Sequence, residues 1–273
     1  MGRNHPEDDA VVSIKDPRVV AARKGLENRS LYLVEGARML RQALEHGASL
    51  ESMFFLDPLS DKGLEFFEAA QGAAPVCCRA ARGVFFKVLG LGYETAADVL
   101  SLVRVPEHNA DSLLAAAGRD GAACYLLGQG IQDPRNVGVL VRTADAFSVT
   151  AFILSADSAF PWSRQSIRST TGSIFRVPVF LAADLEGFAE RLRATGVAIV
   201  GTSASASEDC RAAQHRFPCA MVLGNETSGI SERMRRASDS MLRIPMTGGA
   251  HSLNVTVAGG ILLHEISRGR PRP

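Results

Sequence analysis

The chain has 273 residues, 46% of them hydrophobic, which is apolar material for two ordinary domains rather than one. Its formal net charge is +1 from 30 Lys and Arg against 29 Asp and Glu, which excludes a polyanion binder that works by bulk charge. The apolar runs are short and broken by charge or Gly, so none reads as a membrane span. Five scattered cysteines without a CxxC pair argue against a disulfide framework or a structural zinc site, and for idle thiols in a reducing cytoplasm.

Lys occurs only at 15, 24, 62 and 87, so the basic set is almost all Arg. Arg suits bidentate phosphate contacts, and codon bias in a GC-rich genome gives the same composition. Residues 1–107 hold 13 basic and 15 acidic residues, and residues 108–273 hold 17 and 14. Any field for nucleic acid must therefore come from local clustering.

Residues 1–11, with Glu7, Asp8 and Asp9 and no apolar core, read as a flexible tail and not as a secretory signal. Over 12–107 the pattern predicts a small α/β domain. Strands are expected at Leu31–Val34, Leu50–Leu56, Pro75–Cys78 and Val99–Val103, with helices from Ala37 to the stop at His46-Gly47 and over Leu64–Ala70. The stretch Pro106–Gly121, polar at both ends and Ala-rich between, reads as a linker centred on 108–118. From 119 to 273 short continuous apolar strands alternate with helices. Strands are expected at Cys124–Leu127, Ala151–Leu154, Val177–Phe180, Val197–Val200, Ala220–Leu223 and Met241–Ile244. Helices are expected at Val137–Phe147, Leu185–Ala194, Ser231–Ser238 and about Ser252–Ser267. That predicts a mostly parallel sheet covered on both faces.

Three segments place Gly and polar residues where ordinary turns would serve. The first, Gly128 to Gly138, runs from a strand through Asp133-Pro134 into a helix carrying Asn136 and Arg142. Asn136 is open to reading as a helix cap and Arg142 as a solvated surface residue. The flanking Val139, Leu140, Val141 and Ala144 favour a positioned arginine. The second, Leu223-Gly224-Asn225-Glu226-Thr227-Ser228-Gly229, takes a buried strand directly into a carboxylate between glycines, a place where a charge usually has an assigned partner. In the third, Ile244-Pro245-Met246 ends a strand, a Gly-rich loop passes His251, and a helix opens with Ser252, Leu253 and Asn254, Ser252 having the character of an N-cap. His251 and His264 read as ordinary loop and helix residues.

Taken in this order, Asp133 to Ala144, Leu223 to Glu226, and Ile244 to Met246 with Ser252 to Val255 closely resemble the three motifs of the SpoU/TrmH family of SPOUT methyltransferases. Ile167 to Pro178 is similar to the family's linking segment. Thr227-Ser228 stands where members often have Gly, and Thr256 where Ser is common. The resemblance covers roughly 119–268. It implies a Rossmann-like sheet with a deep trefoil knot. More loosely, residues from Asp16 to about Val105 are similar to the small ribosomal-protein-like (L30e-like) RNA-binding domain that many members carry.

By this resemblance the chain is a cytoplasmic, homodimeric enzyme that moves a methyl group from S-adenosylmethionine to a ribose 2'-hydroxyl of RNA, ribosomal RNA before transfer RNA. No metal or membrane is involved. The residues matching catalytic roles are Asn136, Arg142, Glu226, Ser252 and Asn254. Those matching cofactor contacts are Leu223, Gly224, Asn225, Ile244, Pro245, Met246, Ser252 and Leu253. A silent RNA-binding or ribosome-assembly module is the reading from another class, disfavoured by retention of the motif polar residues. A nicotinamide dehydrogenase is disfavoured because Gly128-Gln129-Gly130 lacks the third Gly at the required spacing.

Overall fold

The computed structural model describes residues 11, 13–88, 97–108 and 110–271. They form two compact units, one reaching to Pro106 and including Trp162–Arg164, the other made of Glu107–Pro161 and Gln165 onward.

In the first unit α1 (Pro17–Glu27) starts where the Asp16 carboxylate accepts a hydrogen bond from the Arg18 amide, with Pro17 in the first helical position. β1 (Leu31–Glu35) and α2 (Ala37–Glu45) are joined by Gly36 at φ +84°, a conformation that favours glycine. β2 (Leu50–Asp57), α3 (Asp61–Ala70), β3 (Val76–Ala81), α4 (Arg82–Val88) and β4 (Val99–Arg104) complete it. The sheet order is β1-β4-β2-β3, antiparallel except for the β2/β3 pair. Val19, Leu33, Phe54, Phe85, Leu100 and Leu102 form its core. The tail expected over 1–11 lies outside the described residues except for Val11. That residue is fully buried and bridges to Ala80, with its amide donating to the Arg79 carbonyl at 2.8 Å. Val11 is thus an ordered residue of the β3 edge, not part of a loose tail.

The second unit begins with α5 (Ala110–Ala117), in the stretch expected to be a linker. Leu114 and Ala117 are buried in this unit's core, so the alanine-rich run is a docked helix. Then come β5 (Cys124–Gly128), α6 (Pro134–Ala146), β6 (Ala151–Ser155), α7 (Arg164–Thr170), a 3-10 turn at Ser173–Phe175, β7 (Val179–Ala182), α8 (Leu185–Ala194), β8 (Ala198–Thr202), β9 (Glu208–Asp209), β10 (Cys219–Leu223), α9 (Glu232–Ala237), β11 (Ser240–Arg243) and α10 (Val255–Arg268). β7 starts two residues later than the apolar run, because the Val177 amide closes the preceding turn on the Ser173 carbonyl and Pro178 has no N–H to give a ladder.

The seven strands are ordered β7-β6-β5-β10-β8-β11-β9, and every pair is parallel. β5 and β10 are buried at every residue, which explains their unbroken apolar sequence. The central position of β10 puts its carboxyl end, and those of β5 and β11, on the same edge of the sheet, where open α/β folds gather ligands. Among the described residues no helix is long and apolar enough to cross a membrane.

Candidate functional site

The exit of β5 is held by short-range bonds. Gly130, at φ +65°, donates its amide to Ser155 Oγ at 2.8 Å, and the Ile131 amide donates to Ser158 Oγ at 3.1 Å. Asp133 caps α6 by accepting from the Arg135 amide at 2.8 Å. Hydrogen bonding from the Arg135 side chain holds its carboxyl below the usual carboxylate range, so the cap is charged at the positive end of the helix. Asn136 is therefore not the cap. It lies in the first turn, half-buried, with its amide group free to reach outward. Leu140, Val141 and Ala144 are buried under the helix, whereas Arg142 is exposed and makes no hydrogen bond or ion pair with another described residue.

β10 runs straight into the loop Gly224–Gly229. A Cβ on Gly224 would sit 2.2 Å from the Gly229 carbonyl carbon and 2.4 Å from the Ile230 nitrogen, so only glycine lets the two limbs of this loop close. Asn225 and Gly229 exchange backbone bonds of 3.1 and 2.9 Å. The Asn225 side chain serves both sides: Oδ1 accepts from the amides of Thr227 and Ser228, and Nδ2 donates to the Gly130 carbonyl at 2.8 Å. Glu226 projects from this loop, exposed.

After β11 the chain passes Ile244 to Leu253 and enters α10. The cap of α10 is Asn254, whose Oδ1 accepts from the Thr256 amide at 2.8 Å and from Thr256 Oγ1 at 2.6 Å. Ser252, expected as the cap, lies two residues before Asn254. Asn254 takes the role because an Asx side chain followed by Thr at the second position satisfies two donors at once.

These three exits meet. Asn136 Nδ2 donates to Glu226 Oε1 at 2.8 Å, and Asn254 Nδ2 donates to Asn136 Oδ1 at 3.4 Å. Beside this chain of polar groups is a cavity of about 360 Å³, inside the range of roughly 300–1,000 Å³ usual for small-molecule sites. Leu223, Gly224, Asn225, Glu226, Ile244, Met246, Ser252 and Leu253 all line it. Pro245 does not, and neither do Asn136, Arg142 and Asn254. Its floor is apolar, from Leu223, Leu242, Val255 and Leu262. Thr202, Ser203 and Ala204 after β8 also line it, as does His251. None of these was singled out from sequence. Thr202 to Ala204 carry no local motif and reach the cavity only because β8 lies between β10 and β11; His251, read as an ordinary loop residue, stands on the cavity rim.

The model of the family described as SpoU rRNA Methylase matches residues 123–264. The 23S rRNA (guanosine-2'-O-)-methyltransferase RlmB of Ralstonia nicotianae is 30% identical, over 87% of this chain and 96% of its own length. A Bacillus subtilis protein described as a TrmH family tRNA/rRNA methyltransferase is 32% identical over 59% of this chain, a match that spans 64% of that relative. Among solved structures, the AdoMet-bound rRNA methyltransferase from Sinorhizobium meliloti superposes with a TM-score of 0.79 at 25% identity, covering 95% of this chain and 97% of the other. On these matches, and on the meeting of its three strand exits, the chain belongs to the SpoU rRNA Methylase family.

Proposed function

We propose that this chain transfers the methyl group of S-adenosylmethionine to a ribose 2'-hydroxyl of ribosomal RNA. The observation that carries this reading is the junction of Asn136, Glu226 and Asn254 beside a cavity with an apolar floor. The relatives named above add the substrate class: RlmB is a 23S rRNA enzyme and the Sinorhizobium meliloti protein binds AdoMet. The residues present fit that cofactor. Leu223, Leu242, Ile244, Met246 and Leu253 offer an apolar slot for an adenine ring, and the loop at Gly224 brings main-chain donors and acceptors to its edge with no Cβ in the way.

Bound there, S-adenosylmethionine supplies an already activated methyl group. The work left to the chain is positioning the ribose oxygen and managing its proton. Arg142, exposed on a helix anchored by Leu140 and Val141, grips an RNA phosphate and stabilises negative charge as it develops on the oxygen. Its guanidinium stays protonated, so it is not the base. Glu226, oriented by Asn136, and Ser252 on the cavity wall hold the groups around the hydroxyl.

Four further features belong to the same reading. The path from β11 back across the end of β10 to α6, with Gly259 of α10 packed against Leu140 and Leu223, supports a trefoil knot. Leu253, Val257 and Ile261 recur at four-residue intervals and are 37–49% exposed, and Val139 on α6 is 38% exposed. That apolar face supports a homodimer. The four-stranded mixed sheet of the first unit supports a ribosomal-protein-like RNA-binding module. An rRNA substrate supports a cytoplasmic location. Incubation with labelled cofactor and ribosomal RNA from cells lacking the gene, followed by site-resolved mapping of 2'-O-methylation, tests the reading. One labelled rRNA ribose is the expected result. Label on transfer RNA alone would move the substrate, and label on neither RNA would overturn the activity.

A further inference from the structure

The cofactor loop is held at both ends by one residue outside the family motifs, through its main-chain amide at one end and its side chain at the other. Gln129 follows β5. Its backbone amide donates to the Leu223 carbonyl at 2.8 Å, the point where β10 enters the loop. Its side-chain Oε1 accepts from the Ser231 amide at 2.8 Å, just past the point where the loop ends at Ile230. Its Nε2 donates to Glu186 Oε1 at 2.7 Å and to Ser231 Oγ at 3.1 Å. Ser231 Oγ in turn donates to Glu186 Oε1 at 2.9 Å and accepts from the Met234 amide at 3.1 Å as the cap of α9. Gln129 Oε1 and Nε2, the Ser231 hydroxyl and Glu186 Oε1 are each engaged with a fixed donor–acceptor sense, and Gln129, Glu186 and Ser231 are all partly buried.

We infer that Gln129 is a positioning residue for S-adenosylmethionine, holding the two limbs of the loop Gly224–Gly229 at the separation the cofactor needs, with Glu186 and Ser231 fixing its amide. The inference rests on the proposed cofactor reading of the cavity. Between those limbs the Asn225–Gly229 backbone exchange is the cross-link, and six consecutive loop residues line the cavity. A shift of either limb therefore moves the cavity wall directly. The amide is required, and not merely the size of the side chain. Oε1 must accept from Ser231 while Nε2 donates to a carboxylate, and only Gln at this length does both. A carboxylate in its place would face Glu186 across 2.7 Å.

The network can be inverted. In Q129E/E186Q the carboxylate moves to position 129, where it still accepts from the Ser231 amide and now also accepts a hydrogen bond from the Ser231 hydroxyl, and the amide at 186 donates back across the same gap. The experiment is calorimetric titration of S-adenosylmethionine into the full-length wild type, Q129A, Q129E, E186Q and Q129E/E186Q, with steady-state kinetics and a melting midpoint for each. The wild type binds. Q129A binds roughly tenfold more weakly, with the KM for cofactor raised and kcat at saturating cofactor within about twofold. Q129E is weaker still, and Q129E/E186Q recovers most of the loss. Wild-type affinity in Q129A, or a double variant no better than Q129E at an equal melting midpoint, would overturn the inference. A wild type that does not bind the cofactor would overturn the cavity reading itself.

Discussion

Asn136 Nδ2 and Glu226 Oε1 lie 2.8 Å apart, joining the first turn of α6 to the loop after β10. The Asn136 carbonyl oxygen is at the same time approached by Asn254 Nδ2, so one amide is read from both sides and its orientation is set. Glu226→Gln keeps the shape of this junction but removes the charge that Asn136 addresses. It is expected to lower kcat by roughly two orders of magnitude, with cofactor affinity changed little. Single-turnover kinetics beside a cofactor titration separates the two effects, and an unchanged kcat would remove Glu226 from the chemistry.

Arg142 stands on a helix whose buried side is Leu140, Val141 and Ala144, and it makes no bond within the described chain that its removal would break. Arg142→Ala is therefore expected to leave the melting midpoint and the cofactor Kd within about twofold of wild type while abolishing turnover. Arg142→Lys keeps a charge but not the planar fork, and restores only a small fraction. A cofactor Kd raised roughly tenfold or more, with kcat at saturating cofactor close to wild type, would refute the assignment to the RNA side.

Gly138 is buried where α6 meets α7. A Cβ there would lie 2.2 Å from the Ser166 carbonyl oxygen and 2.6 Å from Ser169 Cβ, and the first of these is backbone that has no rotamer to escape through. Gly138→Ala gains helix propensity and loses more to overlap, for a net destabilisation of about 1–3 kcal/mol. The same substitution at Gly260 of α10, where a Cβ would lie 4.0 Å from Thr143 Cγ2, is the matched control and is expected to be neutral or slightly stabilising. Urea midpoints for the two variants check this.

The parallel sheet was legible because β5, β6 and β10 are buried along their whole length, and buried parallel strands leave unbroken apolar runs. α8 was legible to the residue because Leu185, Phe188, Ala189 and Leu192 repeat at helical spacing behind the capping Asp184. Helix α5 was missed because alanine serves an exposed linker and a docked helix equally well, and only Leu114 tells them apart. In the site, Gly224 and Glu226 announced themselves by chemistry out of place after a buried strand. Thr202 to Ala204 could not, since strand order and not local sequence brings them to the cavity. Ser252 and Asn254 are both good caps two residues apart, and Thr256 decides between them.

Asp209 offers a pH test away from the site. Hydrogen bonds from the Arg211 side chain and amide pull its carboxyl from 3.8 down to about 2. The folded value lies below the unfolded one, so the stabilisation is complete above about pH 4. It drains away as pH falls from there through 2. The difference in melting midpoint between wild type and Asp209→Asn is expected to shrink over that window, and to be smaller throughout at high salt because the pair is exposed. A difference that stays constant from pH 5 to pH 2 would show that the turn, and not the charge, is what Asp209 supplies.

Arg270 fastens the end of α10 to the opposite edge of the sheet. Its Nε donates to the Ala122 carbonyl at 2.7 Å, and its Nη1 donates to the carbonyls of Phe147 and Ser148 at 3.1 and 2.8 Å. Phe147 is the C-cap of α6, so the guanidinium sits at the negative end of that helix and donates to carbonyls left over there by the helix's own amides. α6 and α10 carry Asn136 and Asn254 at their other ends. A fastening at one end therefore sets the distance at the other. Arg270→Ala is expected to lower stability by about 1–3 kcal/mol and to raise the KM for cofactor, because slack between the helices opens the Asn136–Asn254 contact. Arg270→Lys, which reaches with a single ammonium in place of a fork, recovers part of both. Hydrogen exchange at the first turns of the two helices reads the coupling directly. Faster exchange confined to residues near Arg270, with the amides around Thr256 unchanged, would show that the fastening is local and that the site is held from its own end.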